Sequence, residues 1–202
     1  INSGAFSNEV APVTIKSRRG DLVIDTDEQP GKARPEKIPS LRAAFKKNGT
    51  ITAANSSSIS DGAAALVLMK LSSAKERGLT PLCKIVSHAT HAQAPAEFTV
   101  APVGAMTKVL KKAGWSSNDV DLFEINEAFA MVTMLAVKKM DLDMTKVNIN
   151  GGACALGHPL GASGARIMVT LIHALKNKNL SKGIASLCIG GGEATAIAIE
   201  ML

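Results

Sequence analysis

Short apolar runs alternate with helical patterns from residue 84 to the end of the chain, and this alternation constrains the fold more than any other feature. Lys84–His91 and Val120–Ile125 are strand-like runs, whereas Val103–Lys112 and Ser163–Lys176 repeat apolar residues at helical spacing. Two more strands, in GIASLCI and ATAIAIEM, flank three consecutive glycines and can pair as a hairpin. Because alternating strands and helices are typical of layered α/β domains, we predict such a fold, mostly parallel with an antiparallel edge.

Residues 1–60 are more irregular than the rest of the chain. Two short strands, Val13–Lys16 and Leu22–Asp25, are predicted around a Gly-Asp turn, and the proline-containing stretch QPGKARPEKIPS follows them. A short helix is predicted in SLRAAFKKNGT and a buried strand over Ala64–Lys70. The remaining predicted elements are helices over Ser72–Arg77 and Glu127–Lys139 and a strand over Val147–Ile149. Since only 3% of residues are aromatic, the core must be built from Ala, Val, Ile, Leu and Met.

The formal net charge of +6 comes from Lys and Arg residues that are scattered along the chain. Nucleic-acid-binding surfaces cluster their basic residues with aromatics, so this pattern favours a solvated surface; a mild attraction for a phosphate-bearing small ligand is the alternative. The three cysteines form no CxxC, which argues against disulfides and zinc ribbons and fits a reducing, cytoplasmic compartment. No apolar run has the length of a membrane span, and we predict no metal site.

Polar side chains follow three predicted strands at their C-terminal ends. Asn126 and Glu127 follow VDLFEI, His158 follows VNI and a glycine loop, and Cys188 ends GIASLC. Ligands of α/β sheets bind at strand ends, so these residues can converge on one pocket. The Ser-rich NSSSISDG lacks the Gly-Lys-Ser/Thr of a phosphate-binding P-loop, which leaves a loop that lines a ligand groove.

The surroundings of His158 are more typical of a binding site than of a core helix. Gly157 and Gly161 allow the backbone to approach a ligand closely, and Pro159 fixes the chain just before a helix. The start of that helix offers free N–H groups and the positive end of the helix dipole. The alternative is a structural imidazole bonded to the backbone.

Cys188 and Asn126 also have two interpretations each. Cys188 precedes a glycine turn whose backbone amides can hold an oxyanion, and a cysteine near a histidine can exchange protons with it; otherwise it is a small buried apolar residue. Asn126 and Glu127 are expected to cap a helix, and the Asn126 amide can in addition point into the pocket. Cys83 and Cys154 are interpreted as packing residues.

Three motifs, in this order, resemble signatures of the thiolase family: NEAF at 126–129, GHP at 157–159 and CIG at 188–190. GTITAANSSSISDGAA also resembles the thiolase segment that leads from the loop domain into the C-terminal domain. The resemblance implies the end of the loop domain at residues 1–60 and the C-terminal domain at residues 61–202. It also implies a layered α/β domain with a mixed, mostly parallel five-stranded sheet covered by helices.

Thiolases join or split acyl units on coenzyme A through a cysteine thioester, and the resemblance implies a catalytic role for four residues. His158 would activate the nucleophilic cysteine and contribute to one oxyanion hole, whose water Asn126 would hold. Cys188 would be the acid/base that takes a proton from the acetyl methyl group. The N–H of Gly190 would belong to the second oxyanion hole.

Four further residues match positions that contact the substrate in thiolases. Ser57 matches a serine beside the pantetheine arm of coenzyme A. Leu41 and Phe45 match apolar residues near the coenzyme, and Phe129 matches a residue of the acyl pocket. Coenzyme A is then a substrate or product, and no covalently bound cofactor is expected.

The chain departs from the family pattern because none of its cysteines lies in the Cys-x-Ser motif of the thiolase nucleophile. It also has about half the family's length and starts without Met, which suggests a C-terminal portion that is inactive alone. The resemblance therefore implies an acyltransferase that reversibly condenses two acetyl-CoA to acetoacetyl-CoA and CoA, once joined by the missing N-terminal half. The complete protein is expected to be a homo-oligomer, with no nucleic-acid or membrane partner.

Four alternatives remain. The first is a longer-chain 3-ketoacyl-CoA thiolase of fatty-acid degradation. A ketoacyl synthase would use a second histidine where this chain has Cys188, and a non-catalytic lipid-carrier relative commonly departs from NEAF. The fourth alternative is a stand-alone binding module.

Overall fold

The computed structural model describes all 202 residues. It contains six strands: β1 (Val13–Ile15), β2 (Leu22–Ile24), β3 (Cys83–Ala92), β4 (Leu122–Ile125), β5 (Lys182–Ile189) and β6 (Glu193–Met201). It contains five α-helices: α1 (Leu71–Glu76), α2 (Ala101–Ala113), α3 (Ala130–Met140), α4 (Ala153–Leu156) and α5 (Ser163–Asn177). Short 3₁₀ turns occupy Pro30–Lys32, Pro35–Ser40, Ala53–Asn55, Pro95–Val100, Ser117–Asp119 and Met144–Lys146.

The main sheet has four strands in the order β3-β6-β5-β4, and β1 pairs with β2 in a separate two-stranded sheet. Only β4 and β5 run parallel; β5 and β6 form the predicted antiparallel hairpin, and β3 pairs antiparallel with β6. The α/β class with a mixed sheet is therefore confirmed. The expectations of five strands and of mostly parallel pairing are wrong, because the three-residue turn after β5 enforces antiparallel pairing and β3 lies beyond β6.

Two predicted strands do not form. Val147 makes only one bridge, to Phe123, so its segment does not extend the sheet. Ala64–Lys70 has no strand beside it, and its Val67 side chain is 86% exposed. A strand needs a hydrogen-bonding neighbour, which the apolar sequence of a segment does not guarantee.

Helices cover both faces of the main sheet. Because side chains alternate along a strand, β4 directs Phe123 and Ile125 towards α2 and α3, and Leu122 towards α5. On β6 the α2 side carries only alanines, Ala194, Ala196 and Ala198, which allow a close approach of that helix. Gly183 of β5 has the same effect on the other face, where a Cβ would meet Leu171 and Leu175 of α5.

Two helix predictions are also corrected. SLRAAFKKNGT forms no helix; Phe45 is 75% exposed there, and an isolated helix of this length is marginal without a packing surface. The helix predicted from Glu127 begins at Ala130, with Phe129 as its N-cap residue instead of Asn126. Residues 126–129 instead form the loop that reaches the candidate site. None of the helices has the length and apolar character needed to span a membrane.

Candidate active site

A cavity of about 430 Å³ lies beside the C-terminal end of β5. It is lined by Ser57, Ser58, Ile59, Phe98, Ala128, Phe129, His158, Leu160, Leu187, Cys188, Ile189 and Gly190. Five of the eight residues singled out in the sequence are among them: Ser57, Phe129, His158, Cys188 and Gly190. The lining comes from five separate segments, so the fold brings together the chain stretches that were expected to converge.

Asn126 lies directly after β4 and is buried. Its backbone N–H donates to the Ser186 carbonyl, which continues the β4–β5 pairing by one residue. Its side-chain Nδ2 lies 3.3 Å from His158 Nε2, while its Oδ1 is buried without a hydrogen-bond partner. A buried acceptor without a partner is costly, so this oxygen is a candidate position for a water or a substrate N–H or O–H.

His158 is held through its backbone and both ring nitrogens. Its N–H donates to the Ser58 carbonyl at 2.9 Å, and Nδ1 lies 2.5 Å from Ser163 Oγ. Gly157 before it has φ +87°, and a Cβ there would collide with the Ser60 hydroxyl, so only glycine fits. The loop that carries His158 is thus fixed against the serine-rich segment.

Burial lowers the pKa of His158, and the positive charge of Arg166 lowers it further. The imidazole is therefore neutral at pH 7 and can accept a proton. This is the state that a general base needs.

Cys188 is buried near the end of β5, and burial raises the pKa of its thiol. Desolvation outweighs a backbone hydrogen bond that acts to lower this pKa. At rest Cys188 is a protonated thiol. No hydrogen bond within the chain uses the N–H of Gly190, two residues later, so it is available to an oxyanion.

The serine-rich segment joins the site to the first part of the chain. Both the N–H and the Oγ of Ser57 donate to the Ala128 carbonyl, at 3.1 and 3.0 Å. Ser56 forms a bridge with Phe129, and Ile59 forms one with His158. The segment therefore contacts both the NEAF loop and the GHP loop.

The three aromatic or apolar candidates are placed differently. Phe129 lines the cavity and makes edge contacts with Phe45 and Phe98, at centroid distances of 5.9 and 6.3 Å. Phe45 reaches the site only through this contact, and Leu41 is exposed and does not line the cavity.

Glu127 and Asn148 hold the NEAF loop in place, although the sequence indicated only a helix cap for Glu127 and gave no role to Asn148. The Glu127 carboxylate accepts from Asn148 Nδ2 at 3.0 Å and from the Cys154 N–H at 3.1 Å. Asn148 also bonds both the N–H and the carbonyl of Ile125. Asn148 has a positive φ (47°), a conformation that asparagine adopts more readily than most residues. Its residue type is therefore the only sequence signal of its role.

Burial raises the pKa of the Cys154 thiol to about 12, and the Glu127 charge acts in the same direction. Cys154 is therefore not a ready nucleophile. No group of three or more His, Cys, Asp or Glu side chains is arranged to hold a metal ion.

Comparison with known families gives two matches that together span most of the chain. A family model described as "Thiolase, C-terminal domain" matches residues 79–201, and one described as "Thiolase, N-terminal domain" matches residues 1–72.

Individual relatives agree with these matches. The acetyl-CoA acetyltransferase of Thiocystis violacea is 51% identical over 100% of this chain, which spans 52% of that protein. The crystal structure of the Bacillus anthracis acetyl-CoA acetyltransferase superimposes with a TM-score of 0.95 at 48% identity, over 100% of this chain and 51% of the other. Human mitochondrial 3-ketoacyl-CoA thiolase in complex with CoA gives a TM-score of 0.89 at 36% identity, over 100% and 50% of the two chains. The chain thus spans about half the length of these relatives.

Proposed function

The chain belongs to the thiolase family, and we propose that it forms the C-terminal portion of an acetyl-CoA acetyltransferase. Such an enzyme condenses two acetyl-CoA to acetoacetyl-CoA and CoA, and catalyses the reverse thiolysis. The observation that carries the proposal is the single cavity that unites His158, Cys188 and Gly190, with Asn126 bonded to His158 behind it. The division into a loop-domain end at residues 1–60 and a C-terminal domain at residues 61–202 belongs to the same proposal.

The chemistry requires a base for the carbon beside the thioester and donors for the enolate oxygen. Cys188 is the proposed acid/base, and its raised pKa makes it a proton donor at rest and a strong base once deprotonated. The free N–H of Gly190 is the proposed donor to one oxyanion; a donor of this kind commonly contributes about 3 kcal/mol. His158, with Asn126 and a water at its free Oδ1, is proposed to serve the other oxyanion and to activate the nucleophilic cysteine.

The nucleophile is proposed to come from outside this chain. Burial raises the thiol pKa of Cys83, Cys154 and Cys188, so none is a ready thiolate. Cys83 lies at the start of β3 and does not line the cavity. The 202-residue chain alone is therefore expected to be inactive.

A thiolysis assay tests this proposal. The chain is supplied with acetoacetyl-CoA and CoA, alone and fused to the preceding half of the Thiocystis violacea relative, with that intact relative as the positive control. Activity in the fusion that is lost in its His158→Ala variant would support the proposal. Turnover by the 202-residue chain alone would contradict the assignment of the nucleophile.

A preference for longer 3-ketoacyl chains is the second candidate function, favoured by the likeness to the human 3-ketoacyl-CoA thiolase. We favour the short-chain reaction because identity is higher to the acetyl-CoA acetyltransferases, 51% against 36%. Comparing acetoacetyl-CoA with 3-ketohexadecanoyl-CoA on the fusion decides between them; a clear preference for the long chain would contradict our choice. A homo-oligomeric and cytoplasmic complete enzyme remains part of the proposal.

A further inference from the structure

Ser163, the first residue of α5, is only 1% exposed and touches the ring of His158. Its Oγ lies 2.5 Å from His158 Nδ1 and 3.0 Å from the Pro159 carbonyl oxygen. A serine hydroxyl has one proton, and a carbonyl oxygen can only accept. The Ser163 proton therefore goes to Pro159, and its oxygen accepts a proton from Nδ1 of His158.

The placement of the Asn126 amide agrees with this assignment. Asn126 Nδ2 lies 3.3 Å from His158 Nε2. An amide nitrogen can only donate, so Nε2 must present its lone pair. The Ser163 contacts therefore assign the proton of the neutral ring to Nδ1, and the Asn126 amide as placed fits the same tautomer.

We propose that Ser163 is a positioning residue that holds His158 in the Nδ1-protonated tautomer, so that Nε2 stays unprotonated and can act as a base. The catalytic consequence rests on the proposed function, since only an imidazole whose Nε2 carries no proton can take one there from a cysteine thiol. The tautomer itself does not depend on what reaction the site performs.

Ser186 provides a matched control for a purely structural serine. It is also fully buried (0% exposed), and its Oγ likewise donates to a backbone carbonyl, that of Thr195, at 2.8 Å. It makes no hydrogen bond with His158. If Ser163 acts only through packing, alanine at either position should have the same small effect on the ring of His158.

Nuclear magnetic resonance of the chain labelled with nitrogen-15 in its four histidines measures the tautomer directly. Correlations between ring nitrogens and carbon-bound ring protons show which nitrogen carries the hydrogen, at a pH where the ring is neutral. A His158→Gln variant identifies the His158 signals. We expect Nδ1–H in the wild type, and in Ser163→Ala a preference for that tautomer reduced by about tenfold, the effect of one lost hydrogen bond.

Two further variants complete the test. Ser186→Ala should leave the His158 signals unchanged. Ser163→Thr keeps the hydroxyl and should therefore keep the Nδ1–H pattern of the wild type. An Nε2–H tautomer in the wild type would overturn the proposal even if no variant folded. An unchanged Nδ1–H pattern in folded Ser163→Ala would also overturn it.

Activity of the fused enzyme separates this proposal from the proposed function. Ser163→Ala should lower kcat by up to about tenfold with little change in KM for CoA, whereas Ser186→Ala should not. If the spectra follow the expectation but no fusion has thiolysis activity, the proposed function fails and the tautomer assignment stands. If the fusion is active but His158 carries its hydrogen on Nε2, the tautomer assignment fails alone.

Discussion

Residues 1–82 and 83–202 have a very different relation to the core. Of the 41 buried residues, only Ala74 lies before β3, and all the others belong to the second region. The first region nevertheless contains apolar side chains, among them Ile59 and Val67, which are 91% and 86% exposed. Large exposed apolar surfaces are uncommon on a domain that folds without partners. This exposed apolar surface supports the proposal that the chain is a portion of a longer enzyme.

The candidate site lies where the two regions meet. Ser57 and Ile59 come from the first region, and His158 and Cys188 come from the second. The boundary between the two regions, called the seam below, is crossed by few hydrogen bonds. They are those of Ser57 and Ser58, one from the Leu202 N–H to the Leu82 carbonyl, and a 3.4 Å contact between Thr170 and Glu9. The second region therefore provides the proposed catalytic groups, while the first provides one wall of the cavity and depends on the second for its position.

Removing one phenylalanine from each region should show the largest contrast. Phe123 is 2% exposed in the core, whereas Phe45 is 75% exposed and contacts only the rim of the site. We expect Phe123→Ala to lower the free energy of unfolding by about 3–5 kcal/mol through lost burial and the resulting cavity. Phe45→Ala should change it by less than about 1 kcal/mol. Urea unfolding of both variants checks this, and equal losses would show that the first region has a core of its own.

The pH dependence of stability should distinguish a carboxyl group within the second region. Burial raises the pKa of Glu124 from 4.5 to about 8, although Arg166 opposes the shift. The folded state therefore binds the proton more tightly than the unfolded state. Its contribution to stability is complete below pH 4.5 and is lost as the pH rises through 8.

Glu124→Gln should therefore flatten the decline in unfolding free energy between pH 4.5 and 8, a decline of up to a few kcal/mol. Glu76→Gln, at an exposed position on α1, is the matched control and should leave the slope unchanged. Unfolding with urea at a series of pH values measures the slope. The same slope in Glu124→Gln and in the wild type would show that Glu124 is ionised in the folded chain.

Some elements of this structure were predictable from the sequence, and others were not. The β5–β6 hairpin, α2 and α5 follow from periodicity and from the glycine turn, since these signals are local. The partners of a strand are not local information, so neither the unpaired segment Ala64–Lys70 nor the mainly antiparallel pairing could be foreseen. The site shows the same limit: motifs pointed to His158 and Cys188, but the contact of Ser163 with the imidazole depends on how the chain turns at Pro159.

The loop that carries His158, which lies against the serine-rich segment of the first region, should be sensitive to one methyl group at Gly157. Gly157 has φ +87°, and a Cβ there would collide with Ser60, so Gly157→Ala must displace either the His158 loop or the serine-rich segment. We expect a loss of about 1–3 kcal/mol in unfolding free energy, and faster proteolysis around residues 50–70. Gly161→Ala is the matched control, because that site has open space and no positive φ. Similar losses in both variants would show that the backbone at Gly157 is not constrained by the seam.

The smallest effect should come from a single hydrogen bond across the seam. Ser57 Oγ donates to the Ala128 carbonyl at 3.0 Å, and Ser57→Ala removes this bond while keeping the backbone bond to the same oxygen. One such bond contributes about 1 kcal/mol. Because the second region holds the core, global stability should change little, and the loss should appear as faster amide exchange of residues 56–59. Ser40→Ala, which removes an exposed hydroxyl bonded to Lys37 within the first region, should leave that exchange unchanged. If exchange at 56–59 did not respond to Ser57→Ala, the wall of the cavity would be held by contacts other than those at the seam.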